Sequence, residues 1–217
     1  IEDFSLKEDF SYYVGASHKI RFGFQSIHHT FIPGEITLNT SSTTNIPRRL
    51  PRTIERKHAL ENAVYFSDDY SISSHWQMNY GIRFSLFTQI GPNTIYTYDN
   101  SGIATDSTTY KANVPIKTYY GIEPRLSLAY ILNEKNSIKI SYNHINQYLH
   151  QLSNTTVSTP VDLWVPSSQV VKPQIGDQVA VGYFKNLRNN NYETSVETYY
   201  KNMANQIDYR NGADLRF

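Results

Sequence analysis

Hydrophobic and polar positions alternate along most of this chain, most regularly between Tyr119 and Gln147. In the first half of that stretch Tyr120, Ile122, Pro124, Leu126, Leu128 and Tyr130 share one parity, and Gly121, Glu123, Arg125, Ser127 and Ala129 share the other. A polar run, Asn133–Asn136, intervenes, after which Ile138, Ile140 and Tyr142 oppose Ser137, Lys139, Ser141 and Asn143. Period two sends successive side chains to opposite sides of a strand, so the stretch predicts a β-hairpin with a tight polar turn. Each arm runs about 12–14 residues, against a usual strand length of about 5–6. At about 3.3 Å per residue an arm spans about 45 Å, or about 32 Å when tilted by 45°. That matches a bilayer's hydrocarbon thickness of about 30 Å. One face is apolar and aromatic throughout, while the other carries Glu123, Arg125 and Lys139 and must meet water or a wet lumen. The pattern therefore predicts a hairpin of an outer-membrane β-barrel.

The same alternation recurs on either side. Strands are expected over about Phe4–Tyr13, His18–Phe31, Leu60–Ile72, Trp76–Phe87, Asp177–Leu187 and Tyr192–Gln206. The facing of Leu60–Ile72 is ambiguous, because Val64, Tyr65 and Phe66 are consecutive. Between the strands, Gly15-Ala16-Ser17, Ser73-Ser74-His75 and Arg188–Asn191 read as short turns. Pro33–His58, Gly91–Lys117 and His150–Gln174 read as long polar loops. The expectation is an all-β, antiparallel up-and-down meander of eight long strands in four hairpins, with short connections at one end and long ones at the other. That asymmetry is characteristic of outer-membrane barrels. Pro124 sits mid-strand, where it lacks a ladder donor, so a bulge or a missing bond is expected there.

Composition sharpens the picture. The 217 residues include 18 tyrosines, aromatics reach 14%, and cysteine is absent, which rules out disulfides and thiolate metal sites. Trp76 and Tyr192 directly follow short turns and Tyr70 precedes one, as an interfacial aromatic girdle requires. No run of about 18 apolar residues occurs, so a transmembrane helix is excluded while barrel strands are not. The net charge of +1 gives no global field that would call for a nucleic-acid partner.

The runs AVYFSDDYSISSHWQMNYGIRFSLF, YYGIEPRLSLAYIL and SIKISYNHINQYLHQLSN resemble the barrel of TonB-dependent outer-membrane receptors. VDLWVPSSQVVKPQIGDQVAVGYFKNL and YETSVETYYKNMANQIDYRNGADL resemble a Bacteroidota-type subgroup, whose full-length members begin with a carboxypeptidase-regulatory-like domain. The resemblance covers essentially all of residues 1–217. It implies a barrel of about 22 strands filled by a plug, the outer membrane of a Gram-negative cell as location, and contact with outer-membrane lipid. It further implies energy from TonB acting on a region not present here, an imported ligand of unknown identity, and a surface lipoprotein as a further partner. On that reading this chain is an internal piece of the barrel domain, without plug and without the remaining strands.

Candidate chemistry is sparse. No Ser-His-Asp spacing, metal-binding run or phosphate loop occurs, so nothing points to catalysis or to a bound cofactor or metal. His28-His29 could be ligands, but adjacent strand residues face opposite sides, and rim or loop histidines are the plainer reading. Asp68-Asp69 reads as structural. Arg48, Arg49, Arg52, Arg56 and Lys57 make the first long loop basic, which could attract an anionic ligand or lipopolysaccharide but also suits a solvated loop. Trp164, beside Pro166 in the third loop, could line a ligand vestibule or simply pack within that loop. Trp164, Arg48 and Arg49 are thus the candidate ligand contacts. Glu123, Arg125, Glu193, Glu197 and Lys201 share the wet parity; they could touch substrate, but inter-strand charge pairs and plug contacts are the plainer reading. Two rival readings stay open: a complete eight-stranded barrel with a structural or adhesin role, and a soluble β-sandwich that binds carbohydrate through its tyrosines.

Overall fold

The computed structural model describes residues 1–32, 35–36, 52–53, 55–99, 104–152, 163–187 and 191–208. Its elements in chain order are β1 (Glu2–Val14), β2 (His18–Phe31), β3 (Glu35–Ile36), β4 (Arg52–Thr53), β5 (Lys57–Ser71), β6 (Trp76–Ile90) and β7 (Asn93–Tyr98). They continue with β8 (Ala104–Tyr110), β9 (Pro115–Asn133), β10 (Asn136–Gln147), β11 (Leu149–Leu152), β12 (Leu163–Pro166), β13 (Gln174–Leu187) and β14 (Tyr192–Ala204). Eight of these form one antiparallel sheet in the order β1-β2-β5-β6-β9-β10-β13-β14, a meander in which each strand pairs with the next long one. The other six form three two-stranded ladders, β3 with β4, β7 with β8 and β11 with β12, all between long strands at the same end.

Most long strands end where the alternation predicts or extend beyond it, while β5 and β14 stop at Ser71 and Ala204, short of the expected Ile72 and Gln206. β6 continues through Phe87 to Ile90, and β9 begins at Pro115 instead of Tyr119. Apolar periodicity hides this extension because Phe87 and Tyr119 carry aromatic rings on the polar face. The loop expected over Gly91–Lys117 contains the β7–β8 hairpin, built on the β-branched and aromatic run NTIYTY. The loop expected over His150–Gln174 contains the β11–β12 ladder.

Register places Val64 and Phe66 on the apolar face with Phe24 and Phe84, and turns Tyr65 to the polar face. One cross-strand row runs Arg21, Ser67, Gly81, Arg125, Asn143, Gln178, Lys201 through the sheet on the polar face. Glu197 lies opposite Gly182 and Glu193 opposite Asn186 on that same face, as the alternation predicts. At Pro124 the ladder with β6 continues (Ile82 opposite Pro124), but the β9–β10 ladder stops at the pair Arg125 and Asn143. A residue without an N–H sits where that ladder ends, so the expected defect takes the form of lost pairing and not of a bulge at Pro124 itself.

The apolar face has no covering layer. Tyr120 is 72% exposed, Ile122 58% and Leu126 46%, and only seven hydrophobic residues are buried among those described. A β-sandwich would bury this face against a second sheet, so the sandwich reading fails. Among the described residues β1 and β14 each pair on one side only, so their sheet is not closed on itself as a complete eight-stranded barrel would be.

At the short-turn end the hairpins are tied to one another. Ser71 donates to the Ser17 carbonyl (2.8 Å), Ile131 to His75 (2.7 Å) and Asn186 to Lys135 (2.8 Å). Gly15 holds the first turn at φ +61°, a conformation that favours glycine. Trp76 lies against Tyr130 (4.5 Å between ring centres), and Tyr70 stacks on His18 (4.1 Å), forming an aromatic band just inside these turns.

Candidate functional site

The polar face carries two connected features. Mid-sheet, a groove of about 550 Å³ is lined by Lys7, Arg21, Tyr65, Gly81, Arg83 and Arg125 among others. Small residues in the Arg21–Arg125 row, Ser67 and Gly81, form its floor. Its charges are matched. Lys7 meets Asp9 at 2.8 Å, Arg21 meets Asp69 at 2.6 Å, Arg83 meets Glu61 at 3.2 Å and Arg125 meets Glu123 at 3.5 Å. Tyr65 also donates to Asp9, and Asn79 to Asp69. Of these pairs, Arg21–Asp69 and Arg83–Glu61 cross strands, whereas Lys7–Asp9 and Arg125–Glu123 lie within β1 and β9; the cross-strand pairing expected of Glu123 and Arg125 is therefore replaced by a pair along one strand.

Toward the long-loop end, the polar face becomes a small core. Phe31, Ala59, Phe87 and Tyr148 bury one another, with Tyr119 and Leu149 packed against them. Tyr148 follows β10 directly and lies flat on Phe87, with ring centres 4.9 Å apart and 5° between planes. Its hydroxyl is 2.7 Å from Ser85 Oγ, and Ser85 Oγ donates to Glu123 Oε1 at 3.2 Å. Ser85 has one proton and directs it at the carboxylate, so Tyr148 is the donor to Ser85. Gly121 makes this approach possible: a Cβ there would stand 2.5 Å from Ser85 Oγ and 2.8 Å from Asn146 Nδ2.

The segment after Tyr148 stays on the sheet. Ser167 donates its backbone N–H to the Tyr148 carbonyl (2.7 Å), and the Tyr119 hydroxyl donates to the Ser168 carbonyl (2.7 Å). His150 and Ser167 are buried and lie 3.1 Å apart, Nε2 to Oγ. Burial pushes the His150 imidazole below its usual range. The β11–β12 hairpin thus folds over the polar face at its long-loop end.

The residues singled out in the sequence fall as follows. Trp164 lies on β12 opposite Gln151, 41% exposed, on the hairpin that covers this core. Arg48 and Arg49 lie outside the described residues. Lys57 opens β5 and is mostly covered. His28 and His29 occupy opposite faces within β2: His28 tilts against His58, while buried His29 lies 2.8 Å from Asp3 and 3.7 Å from Glu61. They belong to the upper wall and not to a loop. Asp69 serves the groove. Asp68 faces the other way, onto the apolar side, where its Oδ2 lies 2.7 Å from His18 Nδ1 and accepts from Tyr80 (3.1 Å). Sequence reasoning missed Tyr148, Ser85 and Gly121. Their one visible signal was an aromatic residue, Tyr148, just beyond the point where the alternation of β10 ends.

One comparison shows the family and another the fold. A family model described as TonB dependent receptor-like, beta-barrel, matches residues 2–216. A search of curated proteins returns no match. Among solved structures, the alcaligin outer-membrane receptor FauA from Bordetella pertussis aligns with a TM-score of 0.53 at 13% identity, over 93% of this chain and 28% of that one. The ferric-catecholate import receptor Fiu from E. coli K12, in its closed form, aligns with a TM-score of 0.53 at 14% identity, over 93% of this chain and 31% of its own. The present chain therefore spans less than a third of the length of either receptor.

Proposed function

The chain belongs to the TonB-dependent receptor β-barrel family of the outer membrane, and from that premise we propose that it forms eight consecutive strands of a larger barrel that imports a ligand using energy from TonB. The observation carrying this reading is the sheet itself. It has one exposed apolar face of bilayer height, one polar face with paired charges, and two strands, β1 and β14, with an unpaired edge among the described residues. Open edges are not tolerated in hydrocarbon, so these strands call for neighbours that complete a closed wall. The apolar face then meets lipid, the polar face lines the lumen, the short turns are periplasmic and the long loops extracellular. The role is transport and not catalysis. Trp164, on the hairpin between β10 and β13, and Arg48 and Arg49, in the basic sequence between β2 and β5, are the ligand contacts we favour. TonB and a surface lipoprotein are the protein partners this reading calls for.

An antibody against this sequence tests the reading on outer-membrane fractions of the native cell. A heat-modifiable band far larger than the 25.1 kDa of this chain, cross-linkable to TonB in living cells, is expected. A heat-modifiable species no larger than the chain, or recovery in the soluble fraction, overturns it.

A further inference from the structure

The third long loop does not simply emerge from the wall; it turns inward and is fastened there. We propose that Tyr148 latches the β11–β12 segment over the lumenal face, so that this strap seals part of the upper wall from the outside. Three separate contacts fasten it, each using a different kind of interaction. The Tyr148 ring stacks on Phe87, its hydroxyl donates into the Ser85–Glu123 pair, and its carbonyl receives the Ser167 N–H. A fourth bond, from the Tyr119 hydroxyl to the Ser168 carbonyl, holds the far limb of the strap to β9. Beneath it Ala59 is fully buried, although it is a small residue on the lumenal parity of β5.

The wall is built to receive this latch. Gly121 removes the side chain that would occupy the space of the Tyr148 hydroxyl, and Ser85 is the small donor that connects that hydroxyl to a buried carboxylate. Glu123 is 4% exposed, and Ser85 gives it a hydrogen-bond donor while Arg125 supplies the countercharge. Opening the latch is costly because it exchanges the Tyr148–Ser85 bond for bonds to water and bares Phe31 and Phe87 to solvent. The strap is therefore closed at rest, and it is the part of the extracellular surface that carries Trp164 over the lumen.

The inference rests on the extracellular placement of the long loops, and the test separates the two. In the full-length receptor, single cysteines replace Ala59 and Trp164 in turn, and intact cells are treated with a membrane-impermeant maleimide. Labelling is normalised to the heat-modifiable, folded protein, so variants that fail to assemble do not count. Trp164→Cys is expected to label and Ala59→Cys to stay at background. Adding Tyr148→Ala to the Ala59→Cys protein should raise its labelling several-fold, and Tyr148→Phe, which keeps the stack and loses the donor, should give an intermediate rise. If Trp164→Cys fails to label, the loop is not outside and the topology falls. If Trp164→Cys labels and Ala59→Cys labels equally with Tyr148 intact, or stays protected in the Tyr148→Ala protein, the latch falls while the topology stands.

Discussion

Leu126 and Ser127 are neighbours in β9 that the register sends to opposite environments. Leu126 lies between Tyr80 and Tyr142 on the apolar face and is 46% exposed, whereas Ser127 lies between Asn79 and Ser141 on the polar face. Leu126 stands four residues above Tyr130, the β9 member of the aromatic band at the short-turn end, which at about 3.3 Å per residue and a tilt of about 40° puts it about 10 Å above that band. The apolar belt of such barrels is about 25 Å tall, so Leu126 is close to its middle. An arginine on the lipid face there costs about 2–4 kcal/mol, and with every 1.4 kcal/mol worth tenfold the equilibrium constant for insertion and folding falls by about 30- to 700-fold. At Ser127 the same side chain reaches water and polar neighbours and avoids that penalty. Leu126→Arg should therefore leave much less heat-modifiable receptor in the outer membrane than Ser127→Arg, each normalised to total expression. Equal assembly of the two variants would refute the lipid-facing assignment, and the reverse order would mean that the faces are inverted.

Three further outcomes follow from the same geometry. An epitope tag at Ser107, in the β7–β8 hairpin, should be reachable by antibody on intact cells and one at Ala16 should not; the reverse pattern would invert the topology. Gly121→Val should assemble with a loss of about 1–3 kcal/mol from overpacking, and because its side chain takes the space of the Tyr148 hydroxyl it should expose a cysteine at position 59 to maleimide; continued protection there would show that the wall can accommodate both. Burial lowers the His150 pKa from its ordinary value of about 6.5, so docking of the strap is fully supported above that pH and weakens as pH falls through the lowered folded-state value. Labelling at position 59 relative to position 164, which cancels the ionisation of the thiol itself, should rise on acidification and lose that rise in a His150→Gln protein; an unchanged ratio would remove His150 from the docking equilibrium.

What the chain discloses before folding depends on whether a signal is local. The strands were legible because alternation needs only neighbours two apart, and the lipid face of β9 follows from Tyr120 to Tyr130 without any knowledge of pairing. β5 was legible as a strand but not in its facing, since Val64-Tyr65-Phe66 is apolar at three successive positions. Only the pairing of Tyr65 with Gly23 and Arg83 sends its hydroxyl to Asp9. The β7–β8 ladder was missed because the short run NTIYTY sits among Gly, Pro, Ser, Asn and Asp that read as loop. The latch was illegible for a different reason. Tyr148, Ser85, Gly121 and Glu123 come from three separate segments, and nothing local in any one of them calls for the others.

The apolar face shows the same dependence on pairing, in the place least suited to a charge. Asp68 shares the parity of Val64 and Phe66, so a reading by alternation leaves a carboxylate among lipid-facing side chains. Its side chain is only 3% exposed, because β2 and β6 flank β5 and bring His18 and Tyr80 to its Oδ2. Asp177 is met in the same way on the next pair of hairpins, where β10 supplies both His144 Nδ1 (2.7 Å) and the Tyr142 hydroxyl (2.8 Å) to Oδ1. Each carboxylate thus meets one imidazole and one phenol, and both partners are amphipathic rings that keep their apolar bodies toward the bilayer while turning a polar atom inward. A charge that would be costly on a lone strand becomes tolerable once neighbouring strands supply its hydrogen-bond partners. At both positions the histidine serves as a hydrogen-bond partner that neighbouring strands bring to a carboxylate of the wall.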